Sequence, residues 1–292
     1  MSERGHAFIF TLALLVLLVT MGAGIIVILV RLRALHDTDD TERTDTERTD
    51  TESTGTYLET TENMEVGTGS GVRIVAHDHP TYGRVYVFGA DDLISGIILR
   101  NELWEEALCK WLASYYEPGT DVLDIGANLG LNSLRMQQLK PISHGCVYHL
   151  FEPQHDVFTL LKLNTKSLPR VLYNFALSDK VGYVNFTQVH ANVGATSVSN
   201  GTSHSSTNVM ANTLDSIAFD RRISVVKMDV EGFEEQVLTG GAHTLYQHRP
   251  TIVIEIWSSR YEIVSKLLTA MGYVQIANHR DDYVFVPQNK CK

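Results

Sequence analysis

Three short segments set acidic residues and glycines at spacings that suit a ligand and a reaction beside it. The first is Asp121-Val122-Leu123-Asp124-Ile125-Gly126-Ala127-Asn128-Leu129-Gly130. An apolar run ending in an acid and then in glycines is the order in which a buried strand hands over to a helix. In open α/β sheets ligands sit outside the carboxyl ends of strands, at such turns. Gly126 and Gly130 let backbone approach a ligand with no Cβ in the way. A helix start after them favours a carboxylate, and Asp124 could accept from an ammonium. Alone, a Gly-x-x-x-Gly turn also serves merely to pack a helix on a strand.

The second segment, Phe151-Glu152-Pro153, follows roughly twenty residues on, where an acid is placed to accept both ribose hydroxyls of an adenosine ligand. A dinucleotide site would need Gly-x-Gly-x-x-Gly, its middle glycine admitting the pyrophosphate. Asn128 holds that position. An adenosine ligand without a pyrophosphate, such as S-adenosylmethionine (SAM), fits better than a nicotinamide cofactor. Asp124, Gly126, Ala127, Asn128, Gly130 and Glu152 are therefore the cofactor-binding candidates.

The third segment is Val226-Lys227-Met228-Asp229-Val230-Glu231-Gly232-Phe233-Glu234. Asp229 and Glu231 stand at the lip of a strand, where an acceptor would meet a methyl donor. One can serve as general base for a hydroxyl, with Asp229 first and Glu231 second. Both could help to bind a divalent cation, although no clear ligand set accompanies them. An acidic helix start complements the macrodipole, which explains Glu234 well and Asp229 poorly. His190 is a third candidate base.

These segments need strands and helices to hold them. Apolar runs at residues 121–125, 146–151, 171–176, 224–228 and 251–256 predict strands, and residues 131–139, 157–163, 234–238 and 261–271 predict the helices between them. Such an alternation is that of a parallel sheet covered on both faces. Residues 273–277 and 283–286 predict two further strands, and the short connection between them can join only antiparallel neighbours. Upstream, residues 72–75 and 84–88 read as a hairpin around His77-Asp78-His79-Pro80. Residues 102–116 show helical spacing, and residues 188–212 read as a mobile polar loop suited to acceptor contacts. A mostly parallel sheet that ends in an antiparallel hairpin looks like the class I SAM-dependent methyltransferase sheet, a Rossmann-like α/β fold.

The chain resembles the FkbM-type methyltransferases (methyltransferase family 21). The resemblance rests on Leu103-Trp104-Glu105, the loop from Asp124 to Gly130, Phe151-Glu152-Pro153 and Ala176-Leu177-Ser178-Asp179. It continues through Asn192-Val193-Gly194, Thr213-Leu214-Asp215-Ser216, Lys227-Met228-Asp229-Val230-Glu231-Gly232 with Val237-Leu238, and Arg249-Pro250 with Glu255. It implies methyl transfer from SAM, usually to oxygen on sugars or other small molecules, and it places Ser178 and Asp179 near the adenine.

Before this domain the chain changes character. Residues 7–30 are free of charge and long enough to span roughly 30 Å of hydrocarbon. They end at Arg31-Leu32-Arg33, which marks a stop rather than a cleaved leader. Lipid bilayer is thus an expected partner, in a single-pass layout. Arg31 and Arg33 favour a cytoplasmic C-terminal side. A short tail, span, stem and enzyme is also the layout of lumenal Golgi or other endomembrane enzymes, and Asn185-Phe186-Thr187 and Asn200-Gly201-Thr202 are glycosylation sequons. Residues 34–66 hold eleven acids against Arg43 and Arg48, built on the repeat Thr-Glu-Arg-Thr-Asp, and read as a disordered stem. Expected divisions are 1–33 tail and anchor, 34–66 stem, 67–118 hairpin and helix of the catalytic domain, and 119–292 methyltransferase domain.

The stem carries most of the net charge of −10, so the remainder is close to neutral. It lacks the basic stripe that would neutralise phosphates, which speaks against a nucleic-acid partner. Cys109, Cys146 and Cys291 form neither a disulfide framework nor a zinc site. Two rival readings carry different chemistry: a membrane-anchored glycosyltransferase using Asp229 and Glu231 on a metal, and a non-catalytic interaction module on a methyltransferase fold.

Overall fold

In the computed structural model the described residues are 74–89, 92–188 and 206–290, with short strands at 18–20, 25–27 and 196–198. Contacts divide the chain into Met1–Tyr57 and Leu58–Lys292. In the first unit β1 (Leu18–Thr20) and β2 (Ile25–Val27) pair antiparallel. The membrane-crossing helix expected over residues 7–30 is not among the described helices, none of which is long and apolar enough to cross a membrane. The stem, His190, Asn192-Val193-Gly194, the Asn200 sequon and Cys291 lie outside the described residues.

The second unit opens with an antiparallel hairpin, β3 (Val75–His79) and β4 (Gly83–Val87). The expected turn at His77 to Pro80 falls later, because His79 belongs to the strand. Its buried ring accepts from the Thr81 and Tyr82 amides through Nδ1 and reaches the Glu102 carbonyl through Nε2 at 3.1 Å. That ring organises its own turn. The helix expected over 102–116 is α2 (Glu106–Tyr115), and a further helix not expected from sequence, α1 (Leu93–Leu99), precedes it. Asp92 caps α1 by accepting from the Ser95 amide at 2.9 Å.

The regular alternation follows: β5 (Asp121–Ile125), α3 (Leu131–Leu139), β6 (Tyr148–Phe151), α4 (His155–Asn164) and β7 (Arg170–Tyr173). A four-stranded second sheet intervenes, made of β8 (Ala176–Leu177), β9 (Gly182–Gln188), β10 (Thr196–Val198) and β11 (Ser206–Asn212) in the order β10-β9-β11-β8. The polar stretch expected to be loop thus contributes strands. Ser, Thr and Asn side chains hid their periodicity, since neither face of these strands is strongly apolar. The main fold resumes with β12 (Ile223–Met228), α5 (Glu234–Gly240), α6 (Ala242–His248), β13 (Thr251–Glu255), α7 (Tyr261–Ala270), β14 (Tyr273–His279) and β15 (Asp282–Pro287).

The main sheet has the order β14-β15-β13-β12-β5-β6-β7. Its five strands from β13 to β7 are parallel, whereas β15 runs antiparallel to both β13 and β14. The terminal hairpin therefore inserts its second strand beside β13, as a short connection requires. Strand residues alternate between two cores. Val122, Val225 and Val253 face the α2–α3–α4 side, and Leu123, Val226, Ile252 and Ile254 face the α5–α7 side. Every residue of β5, β6 and β12 is buried. Lys227 stands out among them, an amine in a central strand that needs partners to be tolerated. Cys109 and Cys146 are buried free thiols that fill core space.

Candidate functional site

The carboxyl ends of β5, β6 and β12 open onto a solvent-accessible cleft with about 590 Å³ of empty space, open solvent included. Gly126, Asn128, Glu152, Asp229 and Glu231, all named from sequence, line it. Gly126 has φ +76°, and a Cβ there would collide with the Asp229 backbone carbonyl, so the β5 and β12 ends are sealed together only by a glycine. The Asp229 amide donates to the Ile125 carbonyl at 3.0 Å across the same junction.

Glu152 is buried, and each of its oxygens accepts one backbone N–H, from Gln154 at 2.8 Å and from Asn128 at 3.1 Å. Burial pushes its carboxyl up to about 7, against the pull of those two amides. Each oxygen keeps a lone pair for a further donor. Phe175 and Leu177 add apolar wall beside it, with Phe233 on the β12 side, and Phe151 stacks on Tyr173 at 4.3 Å.

Other expected residues support the cleft without lining it. Asp124 accepts from the Ser133 hydroxyl at 2.6 Å and lies 3.5 Å from the Lys227 ammonium. Ala127 faces a small separate pocket with Trp104 and Asn132. Gly130, φ +81°, caps α3 against Thr165 and Leu161. Ser178 is buried one residue past the cleft wall and donates to Asp179 at 3.0 Å, while Asp179 is exposed.

Four site residues escaped assignment from sequence. Lys227 donates to the Gly126 carbonyl at 2.6 Å and stands 3.5 Å from both Asp124 and Asp229. Burial opposes its charge, but Asp229, Asp124, Glu105 and Glu255 outweigh burial and hold it above the usual lysine range. Glu105 enters from the start of α2 in a left-handed conformation, φ +44°, and accepts from Asn132 at 2.8 Å. Glu255 and Asp282 end β13 and begin β15, in register with each other. Burial, then Asp229, raises Glu105, Glu231 and Asp282, Glu231 to about 7 and Asp282 to about 6. The signal for Lys227 was in the sequence, as a lone charge inside an apolar strand; the other three come from distant segments. Among the described residues no three His, Cys, Asp or Glu side chains are arranged to hold a metal ion.

The methyltransferase FkbM domain family matches residues 124–283, just over half of the chain, and the match contains the cleft from Asp124 to Asp282. The chain belongs to the FkbM family of SAM-dependent methyltransferases. Comparison with curated proteins returned no match. Among solved structures the chain is similar to the FkbM methyltransferase of Methylobacillus flagellatus, with 13% identity and a TM-score of 0.42 over 66% of this chain and 52% of that one. It thus spans about half the length of that protein. It is also similar to a TehB-like SAM-dependent methyltransferase of Corynebacterium glutamicum, with 8% identity and a TM-score of 0.40 over 66% of this chain and 92% of that one.

The residues present fit the FkbM family's cofactor. A carboxylate with two spare lone pairs suits a ribose diol, and the apolar wall suits a base. The acidic end of the cleft suits a cationic sulfur.

Proposed function

We propose that this FkbM-family chain methylates a hydroxyl of a sugar, a glycan or another small acceptor. The observation that carries the reading is the position of Asp229. It lines one cleft with Glu152, and a quarter of its side chain is exposed there. SAM, when bound, supplies a methyl group on a positively charged sulfur that departs as a neutral thioether. Glu152 would take the ribose hydroxyls, and the Gly126–Asn128 turn would carry the methionine end past the α3 start. The chain's remaining work is to align the acceptor, keep water out and receive one proton. Asp229 would accept that proton, with Glu231 beside it.

Two experiments test this. Calorimetric titration with SAM against sugar nucleotides separates a methyltransferase from a glycosyltransferase, and binding of neither at millimolar concentration would favour a non-catalytic module. Incubation with methyl-labelled SAM and panels of glycans and lipids, followed by base treatment, distinguishes a stable methyl ether from a labile methyl ester. Ester products alone would overturn the hydroxyl assignment.

For the N-terminal part we infer a single membrane crossing by residues 7–30 and an acidic stem over 34–66. Charge-free length supports the first and acidic repeat composition the second. The Golgi or another endomembrane is the compartment this layout suggests. Resistance to added protease in intact vesicles, with glycan on Asn185, would place the enzyme on the lumenal side; digestion without prior lysis would place it on the cytoplasmic side.

A further inference from the structure

Glu255 closes β13 one residue after Ile254, which is in register with Met228 of the parallel neighbour β12. The next residue on that neighbour is Asp229, so two carboxyls end adjacent parallel strands side by side. From the other side β15 sets Asp282 opposite Glu255. Lys227 is the cation turned toward this group. Its ammonium is divided between the Gly126 carbonyl, Asp124 and the Asp229 Oδ2 atom. Among the described residues no cation stands within ion-pair distance of Glu255.

The remaining Asp229 oxygen, Oδ1, is buried and receives no hydrogen bond from any described residue with an assigned donor. Two ionised carboxylates in contact have only lone pairs to offer each other. A single proton between them turns that repulsion into an O–H···O bond. The ammonium beside Oδ2 selects Asp229 as the member that keeps the negative charge. Glu255, without a cation of its own, keeps the proton.

We propose that Glu255 is protonated and donates to Asp229 Oδ1, so that the base of this site is a carboxyl–carboxylate pair rather than Asp229 alone. Its use in catalysis rests on the methyl-transfer reading above; the pair itself does not. Burial, with Asp229 in contact and Glu231 and Glu105 behind it, raises the Glu255 carboxyl far above the usual carboxylate range. In the reaction the acceptor O–H bond breaks and its proton passes to the Asp229 carboxylate. The acceptor oxygen forms the bond to the methyl carbon, and the C–S bond breaks with its electron pair retained on sulfur. The Glu255 proton is not consumed. It fixes one Asp229 oxygen so that the carboxylate cannot rotate away from the acceptor, which makes Glu255 a positioning residue.

Infrared spectroscopy of the full-length chain in heavy water tests the pair directly. At about pH 8.5 the carboxyls of Glu152, Glu231 and Asp282 are ionised, and a protonated-carboxyl C=O stretch should persist in the native chain. Glu255→Gln, whose amide still offers an N–H to Asp229, should lose that band while binding SAM within about threefold of the native affinity. Asp229→Asn removes the facing charge and should lower the titration midpoint of the band by about one pH unit or more. Absence of the band from the native chain, its survival in Glu255→Gln, or an unmoved midpoint in Asp229→Asn would each overturn the pair. The band in the native chain needs no variant to fold. Failure of the native chain to bind SAM would sink the cofactor reading and leave the infrared outcome to judge the pair.

Discussion

The Lys227 ammonium donates to the backbone carbonyl of Gly126 at 2.6 Å, tying the central strand β12 to the turn that leaves β5. The same ammonium neutralises Asp124 and Asp229 at 3.5 Å each. One side chain, 2% exposed, therefore ties the β5 turn to β12 and sets its charge between two carboxyls.

Replacing Lys227 by Met should cost about 3–5 kcal/mol, because it leaves carboxylates buried without their cation. The Lys227 amine is held above the usual lysine range, so its contribution is fully present at neutral pH and is lost only as pH rises through that raised value. Urea unfolding of the native chain and the variant at pH 7 measures the deficit, and a loss under about 1 kcal/mol would mean that Lys227 acts by packing alone.

Gly126→Ala should abolish the cleft. Both its positive φ and the Asp229 carbonyl facing it exclude a Cβ, and neither neighbour is a flexible side-chain end. Expected results are a loss of several kcal/mol and no SAM binding by calorimetry. Gly89→Ala, at an open position, should stay within about 0.5 kcal/mol of the native chain. A folded, SAM-binding Gly126→Ala chain would show that the β5–β12 junction can relax.

Local pattern was enough for the parallel alternation, because residues such as Val122–Leu123 and Val225–Val226 are apolar on both faces of a strand that is buried on both. It was also enough to place Glu152 and Asp229 at the cleft, since each follows directly on a strand that opens onto it. It failed where the cause was tertiary. Glu105, Glu255 and Asp282 reach Asp229 from three separate segments, and only the packing of α2 and the insertion of β15 beside β13 bring them there. Asp124 reads from sequence as a ligand contact, and its packing adds Ser133 and Lys227 as neighbours that no local pattern announces. The Ser, Thr and Asn content around β10 and β11 conceals strands, since their order comes from pairing with β9 rather than from an apolar face.

Glu152 should make SAM affinity depend on pH. Its carboxyl lies near 7 in the free chain, and ribose hydroxyls donate better to the ionised form. Binding therefore releases a proton below about pH 7 and none above it. The Kd should rise as pH falls through 7, approaching tenfold per unit, and stay flat above 8. Glu152→Gln should weaken binding by about 10–100-fold at pH 8, the loss of charged acceptors for two hydroxyls, and remove the pH dependence. Calorimetry at pH 6, 7 and 8 measures both. A native Kd that does not move between pH 6 and 8 would place the ribose elsewhere.

Asp229→Ala separates binding from chemistry. The backbone bond from its amide to Ile125 does not involve the side chain, so the β5–β12 junction survives the substitution. A quarter of the side chain is exposed, which keeps the cavity left behind open to water. Glu152 and the Gly126–Asn128 turn remain as they are, so SAM should bind within a few-fold of the native affinity. A hydroxyl acceptor would lose its proton acceptor, and transfer of labelled methyl should fall by about 10²–10⁴. Raising the pH should not restore it, because Glu231 is already ionised above about 7 in the native chain and lies on a strained turn of its own, φ +52°. Full transfer by Asp229→Ala would move the base to Glu231 or to the acceptor itself. Loss of SAM binding would instead make Asp229 a part of the cofactor wall.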